Sequence, residues 1–390
     1  MILGYNVGSK DETDGQKGIA HLFEHMMFQG SENVSRTGHF ESIMKAGGVC
    51  NAFTGFDSTV YFDLIPSNNL ELALWLESDR MNSLNITESN LNNQINVVLE
   101  EKKQIMDNAP YGTMQKNYCS NVLKGSLYET FVIGIEKDVR AISVNDAKAF
   151  HKNYYSPDNC VLMVSGDINA GKAKTLIEKY FGFITKKNLI TRRKNIIREI
   201  ESDSILNVPD NVQLPVVNIC FQIPGEKSRA DYVLEYFCEI IANSDSSRLH
   251  RKYVYDKNLF KSVHANKIAL RDAGILVVLA MLNPGTDPAE AEKLMYEEIM
   301  KIAGEPVSDE EFEKIRNQLE FRNVVKNLKL TNVSVETVKN YLDFKNANLI
   351  NSEIEKFLSV SKKEISDTAA DLLIKKKKFI LNYLPDILKT

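Results

Sequence analysis

At 390 residues the chain exceeds a comfortable single core and implies two domains. Hydrophobic content of 43% and charged content of 26% are ordinary for a soluble globular protein, and a net charge of -4 gives no electrostatic case for nucleic acid or an anionic membrane. No apolar run approaches the roughly 20 residues of a membrane helix, and the five scattered cysteines, with no Cys-x-x-Cys pair, argue against a disulfide framework or a cysteine-zinc knuckle.

The chain opens on Met1-Ile2-Leu3-Gly4-Tyr5-Asn6-Val7, which reads as a strand. A polar, turn-rich stretch over residues 8–18 leads to Ala20-His21-Leu22-Phe23-Glu24-His25, a His-x-x-Glu-His motif. On a helix, positions i, i+3 and i+4 share one face, so His21, Glu24 and His25 point the same way. That arrangement suits zinc held by two imidazoles with a carboxylate beside the open coordination position, in the inverted order of the commoner zinc-protease motif. Two partnered histidines on a half-buried helix are the plainer alternative.

Residues 37–46 read as a short helix, stopped by Gly47-Gly48. Residues 49–54 and 58–65 read as a strand pair, followed by a helix over 69–81 with Trp75 in its core. Thr87 is a plausible N-cap for a long helix running towards Asp107, with Leu91, Ile95, Val98, Leu99 and Ile105 as its apolar stripe. Pro110 starts a further helical segment, then come a helix over 144–155 and a strand over 160–165. Residues 186–201 are basic and polar, the best candidate for a domain boundary. The second half repeats the pattern: a strand over 216–222, helices over 230–242 and 246–255, strands over 262–270 and 275–282, helices over 288–303 and from Ser308, then a helix over 363–373 and a strand over 379–383.

Two offsets expose an internal duplication. Ile86-Thr87-Glu88 lies 221 positions before Val307-Ser308-Asp309, and Ser143-Val144-Asn145-Asp146 lies 218 before Ser361-Lys362-Lys363-Glu364. Spans of this size mean two similar αβ domains rather than a solenoid. The fold class is therefore α+β, with two homologous αβ domains, each an antiparallel sheet packed with helices; the domains are residues 1–195, carrying the metal motif, and 196–390, without it.

A catalytic zinc takes three protein ligands and leaves a fourth position for water. Of the adjacent pair Glu100 and Glu101, the second has Val97, Val98 and Ile105 as its helical neighbours, and the first has Asn96, Val97 and Gln104. A carboxylate on a buried face is costly unless paired or bound to metal, which favours Glu101 as third ligand over a salt bridge to a neighbouring domain.

With these residues in hand, the sequence resembles the pitrilysin/insulinase family of zinc peptidases, in the half-length branch with the mitochondrial processing peptidase and bacterial zinc proteases. In that family the His-x-x-Glu-His motif is followed by a distant glutamate ligand, and here Glu101 lies 76 after His25. Gly47-Gly48-Val49-Cys50-Asn51-Ala52-Phe53-Thr54, Asn108-Ala109-Pro110-Tyr111-Gly112 and Ser246-Ser247-Arg248-Leu249 also match. The resemblance implies a metalloendopeptidase of the pitrilysin-like metalloenzyme fold with one zinc per chain. His21, His25 and Glu101 would be its ligands, and Glu24 the general base towards a zinc-activated water. It also implies that an extended or unfolded peptide adds to the strand through Asn51 and Ala52.

Three departures stand out. Gln94 occupies a position seven before Glu101 where the family often has an acidic residue. Val254 and Lys261 replace an arginine and tyrosine that grip substrate in many members, which points to a second family-type subunit in a homodimer or heterodimer. Members also have a strand segment before the point where this chain begins, and its loss would leave the first sheet incomplete. The rival reading is a non-catalytic assembly subunit of the same family. The expected partners are peptide substrate and a second subunit, with neither nucleic acid nor membrane. The expected compartment is a bacterial-type cytoplasm or periplasm, with any export signal lying upstream of Met1.

Overall fold

The computed structural model of the chain describes residues 1–185 and 190–386. The first half contains β1 (Ile2–Tyr5), α1 (Ile19–Met26), α2 (Gly38–Lys45), β2 (Val49–Thr54), β3 (Thr59–Leu64), α3 (Leu70–Ser83), α4 (Glu88–Lys102), α5 (Met114–Val122), α6 (Glu136–Ala141), α7 (Val144–Tyr154), β4 (Cys160–Met163) and α8 (Ala170–Phe181). The second half contains β5 (Ser204–Asp210), β6 (Val216–Pro224), α9 (Arg229–Ile241), β7 (Phe260–Ala269), β8 (Ala273–Leu282), α10 (Pro288–Gly304), α11 (Asp309–Asn327), α12 (Leu330–Phe344), α13 (Leu349–Leu358), α14 (Lys362–Ala369) and β9 (Lys378–Pro385).

These elements pack as two compact units that are discontinuous in sequence. The first comprises Met1–Lys103, Thr130–Lys194 and Val325–Asn351; the second comprises Gln104–Glu129, Asn195–Val324 and Ser352–Thr390. Each holds one sheet. The first sheet runs β2-β3-β1-β4 and is antiparallel throughout. The second runs β5-β9-β6-β8-β7, so β7, β8, β6 and β9 repeat the order of β2, β3, β1 and β4. Its extra edge strand, β5, joins β9 in parallel, a departure from the purely antiparallel sheet expected. The capping residues repeat as well. The Thr87 side chain accepts the Asn90 N–H at the start of α4, and Ser308 does the same for Glu311 at α11. Ser143 with Asp146, and Ser361 with Glu364, close reciprocal capping boxes on α7 and α14.

The alternation of β1 and β3 sorts their side chains onto two faces. Leu3, Tyr5 and Tyr61 point into a core with Phe23, Leu91, Val98 and Tyr155, while Ile2 and Val60 meet Val338 and Leu342 of α12. Gly4 lets α12 approach: a Cβ there would lie 2.4 Å from Val338 Cγ1. The second unit has a larger core, in which β6 and β8 supply Ile219, Phe221, Leu276 and Val278 against Phe237 of α9 and Ile299 of α10.

Several expectations change in detail. Ile105 leaves the apolar stripe because Lys103–Asp107 is a π-helical turn, whose extra residue rotates the side chain outward, leaving it 48% exposed. Pro110 lies in turns and α5 begins only at Met114. The helix expected over 246–255 is a π-helical stretch at His250–Asp256. Trp75 is half-buried at the rim of a small cluster with Ile43 and Leu76. Of the basic segment over 186–201, residues 186–189 lie outside the described residues, and 190–201 carry no regular secondary structure. All five cysteines are free thiols.

Candidate metal centre

Helix α1 starts without a side chain of its own to cap it. Gly18 sits at the N-cap with φ of 109°, and a Cβ there would meet Val139 Cγ2 at 2.6 Å, so only glycine fits. The cap comes instead from Glu12, whose two carboxylate oxygens accept the N–H groups of Gly18 and Ala20, each at 2.9 Å. Full burial pushes the Glu12 carboxyl up to about 8, against the pull of those two N–H donors and of Lys17. Nothing in local sequence marks Glu12 for this role, because it acts from six residues before the N-cap.

The buried face of α1 carries Ile19, Leu22, Phe23 and Met26, and the remaining face presents His21, Glu24 and His25. Helix α4 packs on α1 and brings Glu101 to the two imidazoles. Glu101 Oε2 lies 3.3 Å from His25 Nε2 and 3.7 Å from His21 Nε2, and the rings stand at 84° with centroids 5.0 Å apart. One donor atom from each of the three residues falls within 4.8 Å of the others. Bonds of about 2.0–2.2 Å in a tetrahedral zinc site put neighbouring donors about 3.3–3.6 Å apart; the separation to His25 falls in that range and the one to His21 lies about 0.1 Å beyond it. The two imidazoles and one carboxylate match the donor chemistry of zinc.

The electrostatics agree. Burial, reinforced by the neighbouring His25 and opposed by Glu101, pushes His21 down to about 4, which leaves a neutral imidazole with a free lone pair at neutral pH. The hydrogen bond to His25 and the adjacent imidazoles hold the Glu101 carboxyl below its ordinary value despite partial burial. Glu24 behaves oppositely: desolvation raises its carboxyl, while the Thr54 hydroxyl, donating to Glu24 Oε2 at 2.6 Å, pulls it back. His21 Nδ1 is buried with no hydrogen-bond partner among the described residues, so none of them fixes its tautomer. Gln94 is buried on the same helix as Glu101.

The strand through Asn51 and Ala52 is an edge. β2 pairs with β3 on one side only, and its side chains alternate, with Val49, Asn51 and Phe53 outward and Cys50, Ala52 and Thr54 inward. Asn51 Oδ1 accepts the Ala52 N–H at 2.9 Å.

The second unit carries a charge-swapped counterpart of the centre. The position 221 residues after Glu101 is Arg322 on α11. Its guanidinium reaches Glu239 at 3.0 Å and Glu235 at 3.4 Å, two carboxylates spaced i, i+4 on α9 as His21 and His25 are on α1. Val254 packs against the core of that unit and Lys261 is exposed on β7.

Comparison with known proteins gives this arrangement a context. The family model described as "Insulinase (Peptidase family M16)" matches residues 2–130, and "Peptidase M16 inactive domain" matches residues 141–319. The chain belongs to the insulinase/pitrilysin-type M16 family. Among its relatives, the zinc protease PqqE of Helicobacter pylori is 29% identical over 316 residues, covering 80% of this chain and 71% of the relative. The uncharacterized zinc protease YmxG of Bacillus subtilis is 26% identical over 322 residues, covering 80% and 75%. Among solved structures, a protease from Helicobacter pylori superposes with a TM-score of 0.90 at 24% identity over 98% of this chain and 94% of that one, and thus shares the fold. A peptidase M16 inactive domain from Pseudomonas fluorescens gives 0.86 at 13% identity over 98% and 92%. No described helix is long and apolar enough to cross a membrane.

Proposed function

We propose that this M16 chain is a zinc metalloendopeptidase that hydrolyses extended or unfolded peptides, with one zinc held by His21, His25 and Glu101 and with Glu24 as general base. The observation that carries this reading is the convergence of the three donor atoms beside Glu24, from two helices 76 residues apart in sequence. When bound, zinc supplies Lewis acidity, polarising a scissile carbonyl and making water acidic enough to attack at neutral pH. Glu24 takes the proton of the attacking water and passes it to the leaving amine. Its raised carboxyl suits that task, and the Thr54 hydroxyl holds one of its oxygens in place. The open edge of β2 supports docking of the substrate as an added strand, in which a peptide carbonyl competes with Asn51 Oδ1 for the Ala52 N–H.

This reading divides the chain by its sequence repeat into residues 1–195, which carry the chemistry, and 196–390, which do not; the compact units differ from that division in exchanging residues 104–129 and 325–351. It pairs the chain with a second family-type subunit, supported by Val254 and Lys261 standing where many members of the family carry an arginine and a tyrosine. The rival, a non-catalytic assembly subunit, implies an eroded motif, whereas all four key residues are present here.

The test is Glu24→Gln compared with the parent in zinc analysis and in cleavage of a quenched peptide library. The variant keeps its zinc and loses at least about 100-fold in turnover, the scale of general-base catalysis. Undiminished cleavage by Glu24→Gln would overturn the assignment.

A further inference from the structure

We propose that His39, Cys50 and Asp63 form a second metal site, separate from the His21–His25–Glu101 centre, that takes a divalent ion of the zinc or cobalt type as a structural clasp. The three residues come from α2, β2 and β3, and one donor atom from each lies within 4.8 Å of the others. His39 Nε2 and Asp63 Oδ1 are 3.2 Å apart, already close to one edge of a tetrahedral zinc site.

A histidine–aspartate hydrogen bond alone leaves the cluster unfinished. Asp63 is 1% exposed and His39 4%, yet Asp63 Oδ2 is fully buried and receives no donor among the described residues, and the Asp63 carboxyl lies against that of the buried Glu77. Arg80, whose charge acts on Asp63, does not supply a donor, and its single positive charge stands against the two carboxylates of Asp63 and Glu77. Its guanidinium is bonded to both oxygens of the buried Glu77, donates to the Met27 carbonyl and lies against the rings of Phe28 and Tyr61. The Met1 amino group donates to the Asp63 main-chain carbonyl at 2.7 Å, not to its carboxylate. A buried carboxylate oxygen in this state calls for a cation, and the neighbouring imidazole and thiol are donors that a borderline transition metal prefers over magnesium or calcium. On binding, the ion displaces the Cys50 thiol proton to solvent. Thiolate, carboxylate and divalent ion then sum to zero charge, which favours burial. The ion would tie α2 to the β2–β3 hairpin one residue from Asn51.

Cobalt(II) titration of the full chain tests this directly. A thiolate-to-cobalt charge-transfer band is expected to saturate at one equivalent, because the centre on α1 and α4 has no sulfur to give one. The band is lost in Cys50→Ser, persists in Glu101→Gln, and needs at least about tenfold more cobalt in His39→Ala. In the parent chain, zinc protects Cys50 but not the half-buried Cys160 from alkylation, read by peptide mass mapping; this arm stands even if a variant misfolds. The absence of a thiolate band, its survival in Cys50→Ser, or Cys50 alkylation unaffected by zinc would each overturn the proposal. Failure of the α1–α4 centre would show separately, as the loss of the metal equivalent that gives no thiolate band.

Discussion

Glu100 and Glu101 are neighbours with different surroundings. Glu100 is exposed and bound to Lys103 at 2.6 Å, whereas Glu101 faces both imidazoles. Glu101→Gln is therefore expected to lower zinc occupancy at least about tenfold at limiting metal, and Glu100→Gln to leave it unchanged, as read by metal analysis after dialysis. Equal loss in both variants would remove Glu101 from the ligand set. Val97, Val98 and Ile105 mark Glu101 in the sequence as lying on an apolar side, yet only Val98 is buried; Val97 is 42% exposed and Ile105 48%. Helical period fixed which residues share a side of α4. Which side α1 would occupy was not in that period, and the π-helical turn after Lys102 moved Ile105 off it. Glu12 was not legible at all, since a carboxylate capping a helix from six residues upstream has no local pattern to betray it.

At the scale of elements, the two copies solve one packing problem with different chemistry. A helix carrying an i, i+4 pair meets a long capped helix, and the polar side chains must be matched where they cross. In one copy a carboxylate joins two imidazoles and the set suits a metal; in the other a guanidinium joins two carboxylates. Glu239 is 2% exposed, so removing its partner leaves a buried charge with only a long contact to Asn243. Arg322 is half-exposed, which moderates the effect. Arg322→Ala is expected to cost about 1–3 kcal/mol in urea unfolding. Arg322→Lys should recover part of that, and an unchanged midpoint in Arg322→Ala would mean that the pair does not stabilise the fold. The duplication was visible in capping residues and element order. Strand β5 was not, because Ser204–Asp210 is an edge strand with mostly exposed side chains and a proline, and so lacks the apolar signature of an inner strand.

For the whole molecule, the proposed second subunit has a direct test. If the partner completes the substrate grip, peptide cleavage per chain should rise with protein concentration in step with dimer formation followed by sedimentation, or on addition of the partner chain. A monomer that cleaves at full rate would sink the idea. The sequence by itself determined the α+β class, the repeat of two αβ halves and the identity of the metal-binding candidates, because periodicity, capping and motif spacing are local properties of the chain. Only the tertiary structure decided that Glu101 and not another carboxylate reaches the histidines, that Glu12 holds the helix they sit on, and that His39, Cys50 and Asp63 gather around an unsatisfied oxygen. Each of these depends on how elements far apart in sequence pack, and side-chain burial with its desolvation cost has no value until that packing exists.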